Sequence, residues 1–109
     1  MSMGSNEILP GTLDMLVLQT LSRGANHGYG IAQHIQTVSS DALKIGEGSL
    51  YPALQRLLLN DWVQAEWGVS ENNRKARIYK LTGAGRKRLV EERRSFDAMI
   101  MAIGRVMEA

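Results

Sequence analysis

Residues Gly48 to Trp62 constrain this chain more than any other stretch, because Leu50, Leu54, Leu57 and Leu58 recur at i, i+4, i+7 and i+8. That spacing is the stripe of one helix face pressed onto a core. Gly48 or Ser49 is expected to cap the start, which puts Pro52 among first-turn positions that lack an intrahelical acceptor. The opposite face carries Ser49, Pro52, Gln55 and Arg56, small at its N-terminal end and then offering an amide and a guanidinium. Such a helix fits a DNA major groove entered N-terminus first. It fits an ordinary amphipathic surface helix equally well, and the surrounding chain has to separate the two.

Upstream, Leu13, Leu16, Val17 and Leu21 predict a first helix of core scaffold, with Thr12 as N-cap, Asp14 favouring the dipole and Gly24 ending it. A turn through Ala25, Asn26 and His27 leads to Gly28-Tyr29-Gly30, where a second helix opens. Its buried stripe is Ile31, Ile35 and Val38, and Gln33, His34 and Gln36 face outward. Ser39 to Glu47 reads as a linker in which Leu43 and Ile45 form a short extended piece. Two helices joined in this way, the second with a polar outer side, make a helix-turn-helix pattern.

After Asn60-Asp61 the period changes from 3.6 to 2. Trp62 to Trp67 and Ala76 to Leu81 read as strands rich in aromatic and β-branched residues. The polar segment Gly68 to Lys75 joins them into a hairpin with a charged tip. Tyr79 and Leu81 are expected to face the core, with Ile78 on the other parity. A hairpin directly after a recognition-type helix is a wing, and its candidate contacts to a nucleic acid are Asn73, Arg74, Lys75 and Arg77. From Thr82, a suitable N-cap, one long helix runs to about Glu108, its first turn weakened by Gly83 and Gly85. Leu89, Phe96, Ile100, Ile103 and Met107 follow at steps of seven, four, three and four, an approximate coiled-coil seam. A seam that outruns a small domain has nothing of its own to cover it, so a symmetric dimer is expected. The fold class is thus α+β, mostly α: a flexible leader over residues 1–8, a winged helix-turn-helix over 9–82, and a C-terminal dimerisation helix over 83–109.

Charge supports this reading by its placement. The net charge is only +2, yet nine of the 13 basic residues fall between Arg74 and Arg94, where only Glu91 and Glu92 oppose them. A basic stripe confined to one segment suits phosphate, although part of the Arg86 to Arg94 cluster is an ordinary solvated helix face. The 109 residues make one domain with a modest core. No run of about 18 apolar residues exists to cross a membrane, and the start lacks a signal-peptide pattern. With no cysteine, disulfides and thiolate metal sites are excluded, which fits a cytoplasmic protein. His27 and His34 stand seven apart with no third ligand nearby, so surface or capping roles are expected and no metal site. Neither a phosphate-binding glycine loop after a strand nor a cysteine nucleophile is present, and no catalytic residue or cofactor is expected. The remaining alternative is a winged-helix module that binds protein rather than DNA, mildly favoured by Glu47 and Glu71.

Four motifs in order resemble the PadR family of bacterial transcriptional regulators. They are Leu9-Pro10-Gly11-Thr12-Leu13, His27-Gly28-Tyr29-Gly30, Gly48-Ser49-Leu50-Tyr51-Pro52-Ala53-Leu54 and Tyr79-Lys80-Leu81-Thr82-Gly83-Ala84-Gly85. The segment Glu66 to Arg74 looks like that of the acidobacterial-type branch, and the single final helix resembles the small subgroup. The resemblance implies a homodimeric repressor on double-stranded DNA, with one recognition helix in each of two successive major grooves and half-sites similar to ATGT and ACAT. By position it puts Ser49, Tyr51, Gln55 and Arg56 in the reading helix, with Asn73, Arg74, Lys75 and Arg77 in the wing and Tyr29 against phosphate. Some relatives hold flat aromatic effectors between the dimer's helices. Here Phe96 is the long helix's one aromatic residue, and neither an effector nor its identity follows from the sequence.

Overall fold

The structure is a computed structural model that describes residues 10–109; the expected leader and Leu9 lie outside the described residues. Helix α1 (Pro10–Leu21) is followed by β1 (Asn26–His27), α2 (Gly28–Val38), α3 (Glu47–Leu59), β2 (Val63–Val69), β3 (Lys75–Leu81) and α4 (Gly83–Glu108). The strands form one antiparallel sheet in the order β1-β3-β2. This is a winged helix-turn-helix with a long C-terminal helix.

Helix α1 is the centre of the core. Leu13, Met15, Val17, Leu18, Thr20 and Leu21 are all buried, so the helix is apolar around most of its girth and packs against α2, α3, α4 and β3. It starts at Pro10, not after Thr12: proline at a helix start gives up no hydrogen bond and has φ already set. Asp14 consequently sits on the second turn and is paired with Arg56, so its role is not that of a dipole-balancing residue. The expected turn through residues 25–27 contains β1, where Asn26 pairs with Tyr79 and His27 with Ile78. In α2, Ile31 and Ile35 are buried as expected, but Val38 is 66% exposed because the last turn runs past the core.

Residues 43–46 form no strand, yet Leu43 and Ile45 pack against the core from an irregular linker. Helix α3 begins at Glu47, two to three residues earlier than the expected caps allow, with Gly46 as an N-cap that offers no side chain. Pro52 therefore lies inside the helix, where the amide hydrogen it lacks would have bonded to Gly48. Leu50, Ala53, Leu54 and Leu57 are buried and Leu58 half-buried, so the predicted stripe faces the core. Strand β2 starts at Val63, leaving Trp62 outside it. The hairpin is longer than expected, with a loop of only residues 70–74 closed by Ser70 N–H to Arg74 O and Asn73 N–H to Ser70 O. Tyr79 and Leu81 face the core, opposite Ala65 and Val63, and burial pushes the Tyr79 hydroxyl above its ordinary pKa.

Helix α4 matches the expected bounds. Thr82 accepts a hydrogen bond from the Gly85 N–H at 2.9 Å, and its own hydroxyl donates to the Asp61 carbonyl at 2.7 Å. Gly85 does more than weaken the first turn: a Cβ there would run into the backbone carbonyl of Trp62, so only glycine permits the approach. The 26 residues of α4 span roughly 39 Å. The protein extends 53 × 32 × 21 Å, and its radius of gyration of 15.0 Å exceeds the roughly 13 Å of a compact domain this size.

Candidate nucleic-acid interface

The rotation of α3 is set by its buried leucines, and this decides which side chains are left to meet a partner. Gly48, Pro52, Gln55 and Leu59 occupy the middle of the outward arc, at successive steps of three or four, and all four are exposed. Tyr51 and Arg56 lie at the arc's two edges. The Tyr51 ring leans onto the start of α2, with its hydroxyl oxygen 3.1 Å from where a Cβ on Gly28 would stand. A larger residue at 28 would push the ring away, which explains glycine at that position. Arg56 is held on the other side: its Nη2 donates to Asp14 Oδ1 at 2.7 Å and its Nε to Oδ2 at 3.2 Å. This bidentate bond from Asp14 holds the guanidinium pKa above its ordinary value. Of the four residues expected in the reading helix, Gln55 is the one aimed outward from the centre, Ser49 sits exposed at the N-terminal turn, and Arg56 is engaged within the fold.

The wing continues this surface. From Tyr51 and Gly28 the chain passes to Tyr29, which is 70% exposed at the first turn of α2. An open cleft of about 820 Å³ lies between α2 and the wing tip, lined among others by Tyr29, Gln33, His34, Thr37, Arg74 and Lys75. Gln33, His34 and Thr37 were not expected at a site; the outward placement of Gln33 and His34 in α2 was legible, but not that of Thr37, nor that the wing folds back beside them. Strand register puts Lys75, Arg77, Tyr79 and Leu81 on one face of the hairpin. Tyr79 and Leu81 are covered by the body, and the two cations carry that face out beyond it. Lys75 lies 5.2 Å from the Trp67 ring centroid, a cation–π contact that leaves its charge unneutralised. Among the described residues, neither Arg74 nor Arg77 has a carboxylate within 4.0 Å. Asn73 adopts φ +58 at the tip, a left-handed conformation that asparagine tolerates.

Not every cation of the basic stripe is available. The Arg88 guanidinium stacks 4.6 Å from the Trp62 ring centroid and bonds Glu92 at 3.1 Å, while Arg93 pairs with Asp97. The acid at the tip is engaged too: Glu71 Oε1 accepts from His27 Nε2 at 2.8 Å, and that hydrogen bond holds its carboxyl below the ordinary carboxylate pKa. On α4, Leu89 is half-buried against the protein's own core, whereas Phe96, Ile100, Ile103 and Met107 are exposed, Met107 by 77%. Among the described residues no group of three or more metal-ligating side chains converges, and no helix is long and apolar enough to cross a membrane.

A winged helix with this outward face belongs to a known class of regulators. Residues 17–91 match the transcriptional regulator PadR-like family. The chain is a member of that family, and thus a transcriptional regulator. It is 32% identical over 82 residues to a transcriptional regulator of Mycobacterium tuberculosis, covering 75% of this chain and 76% of that protein. Among solved structures, a transcriptional regulator from Clostridium thermocellum superposes with a TM-score of 0.80 at 25% identity, covering 87% of this chain and 92% of the other. A PadR-like transcription factor from Bacteroides fragilis superposes with a TM-score of 0.72 at 28% identity, covering 89% and 91%.

Proposed function

We propose that this regulator binds double-stranded DNA as a homodimer and represses transcription from an inverted-repeat operator. The observation that carries the proposal is the shared surface of α3 and the wing. Gln55 projects from the centre of the helix face, and the wing carries Arg74, Lys75 and Arg77, which have no carboxylate partner among the described residues. Gln55 reads bases, adenine N6 and N7 being the bidentate match for an amide. Ser49 lies where the helix enters the groove. The wing residues and Tyr29 hold phosphate and set the register. The apolar tail of α4, through Phe96, Ile100, Ile103 and Met107, joins two copies, and two-fold symmetry then requires half-sites about one helical turn, roughly 10 base pairs, apart. Such a protein works in the cytoplasm.

The test is a binding titration on an inverted-repeat duplex and on scrambled DNA at one salt concentration, with Gln55→Ala beside the unaltered protein. The variant is expected to lose about 1–3 kcal/mol per half-site on the operator and much less on scrambled sequence. Equal losses on both would demote Gln55 to a backbone contact. A second reading, a winged helix that binds protein, draws on Glu47 and Leu59, both exposed on the same helix. It predicts no duplex binding at any salt concentration.

A further inference from the structure

The distal wing is a lever with one tether. Its base is held by β1, but β1 covers only Ile78 and Tyr79 of β3. Beyond that point the hairpin has only its own two strands, an arrangement of marginal stability in water. Among the described residues, one side-chain hydrogen bond runs from loop residues 70–74 to the body outside the hairpin: His27 Nε2 to Glu71 Oε1, across 44 positions of sequence. His27 is itself fixed. Its side chain is only 14% exposed, and its Nδ1 accepts the Gly30 N–H at 3.0 Å as the N-cap of α2.

The two bonds specify one another. A ring nitrogen that accepts a backbone N–H carries no hydrogen, so Nδ1 is bare and the hydrogen of the neutral ring resides on Nε2. That tautomer is the one able to donate to Glu71. The cap at the start of α2 thereby orients the donor that seizes the wing tip. The same contact engages the tip's carboxylate, which lines the same cleft as Arg74 and Lys75 but lies within 4.0 Å of neither cation.

We propose that His27 and Glu71 are positioning residues: together they latch the wing tip to the first turn of α2 and pre-order Arg74 and Lys75 for phosphate. The functional half of this inference rests on the DNA-binding reading above; the latch itself does not. Removing it leaves the cations in place but makes binding supply their ordering.

His27→Asn keeps a side-chain cap for α2 but is too short to reach Glu71. It is expected to drop the backbone order parameters of residues 70–74 from about 0.85 to below about 0.6 by ¹⁵N relaxation. It should weaken operator binding about 3- to 10-fold, the cost of ordering a few side chains and the loop. The salt slope should stay unchanged, since no phosphate contact is lost. Glu71→Gln retains an acceptor for Nε2–H and should keep the tip ordered. Glu71→Ala, remote from the core, should loosen it without unfolding the body, which covers the case that His27→Asn folds poorly. Imidazole ¹⁵N shifts of the neutral ring should report the hydrogen on Nε2. A tip as ordered in His27→Asn and Glu71→Ala as in the unaltered protein, or a hydrogen found on Nδ1, would overturn the latch. So would a tip loosened by Glu71→Gln as much as by Glu71→Ala, because the contact would then be a charge effect. If the unaltered protein binds no duplex, the functional reading fails and tip order alone decides the latch.

Discussion

Helix α1 and the C-terminal half of α4 are both rich in large apolar side chains, but they end in opposite surroundings. Val17 and Leu18 of α1 are 0% exposed, enclosed by α2, α3, α4 and β3. Ile100 and Ile103 of α4 are 51% and 49% exposed, on a helix that has left the body behind. The cations divide in the same way. Arg56 is completed inside the chain by Asp14, and Arg88 by Trp62 and Glu92, whereas Arg74 and Arg77 stand on the wing without such partners among the described residues. The body is finished by its own residues. The two extensions carry groups of the same kinds without such partners among the described residues, and the proposed function makes these extensions the parts that bind.

The largest test of this division replaces Ile100 and Ile103 together with glutamate. If the α4 tail is completed by a second copy, the variant is a folded monomer in sedimentation. Its DNA affinity should then fall by about 10²- to 10⁴-fold, because linkage of the two half-sites is lost. A double variant that remains dimeric at micromolar concentration would break the comparison at its most exposed point. The converse is Leu18→Ala, expected to cost about 2–5 kcal/mol of unfolding free energy, as for other fully buried leucines. That loss should remain when a monomeric background is used. Were it to vanish there, α1 would owe its stability to the partner and not to its own fold.

How far this was legible in the sequence follows the same line. Periodicity exposed what each helix buries, so the leucine stripe of α3, the Thr82 cap and the full length of α4 could all be read from spacing. Errors cluster where a residue's setting depends on another element. Pro10 and Gly11 look like breakers, but they open α1 because a helix start asks nothing of their amides. Strand β1 has two residues and no period; it exists because β3 offers an edge. Arg56 looked outward from its helix alone, and its partner Asp14 lies 42 positions away, brought near only when α1 and α3 pack. The His27 to Glu71 contact is equally long-range. The one local sign of it is a histidine three residues ahead of Gly30, where an N-cap belongs.

Arg56 supplies a smaller test. Arg56→Met keeps the packing of the stem and removes the bidentate bond, leaving Asp14, 15% exposed, without its partner. Solvent screening of the half-exposed guanidinium limits the expected loss of stability to about 1–2 kcal/mol. Lysine should restore little, since it lacks the planar fork. Operator affinity is expected to follow stability alone. A loss of operator discrimination with stability intact would move Arg56 from the body's account to the interface, and the division between finished and unfinished cations would need redrawing.

The smallest effect expected belongs to Arg74. Its side chain stands at the wing tip with no carboxylate within 4.0 Å among the described residues, so Arg74→Ala should leave thermal stability almost unchanged. On DNA, a cation that neutralises one phosphate contributes through counterion release, a term blind to sequence. The variant should therefore weaken operator and scrambled duplexes by similar factors. The slope of log affinity against log salt should become shallower by about one unit per subunit. Measuring both duplexes at four or five salt concentrations separates the possibilities. A changed preference with the slope intact would mean that the wing reads bases, making it a second reading element beside Gln55. An unchanged affinity on both would show that the tip stands clear of the duplex, and that Lys75 and Arg77, one face along the hairpin, carry the phosphate contacts without it.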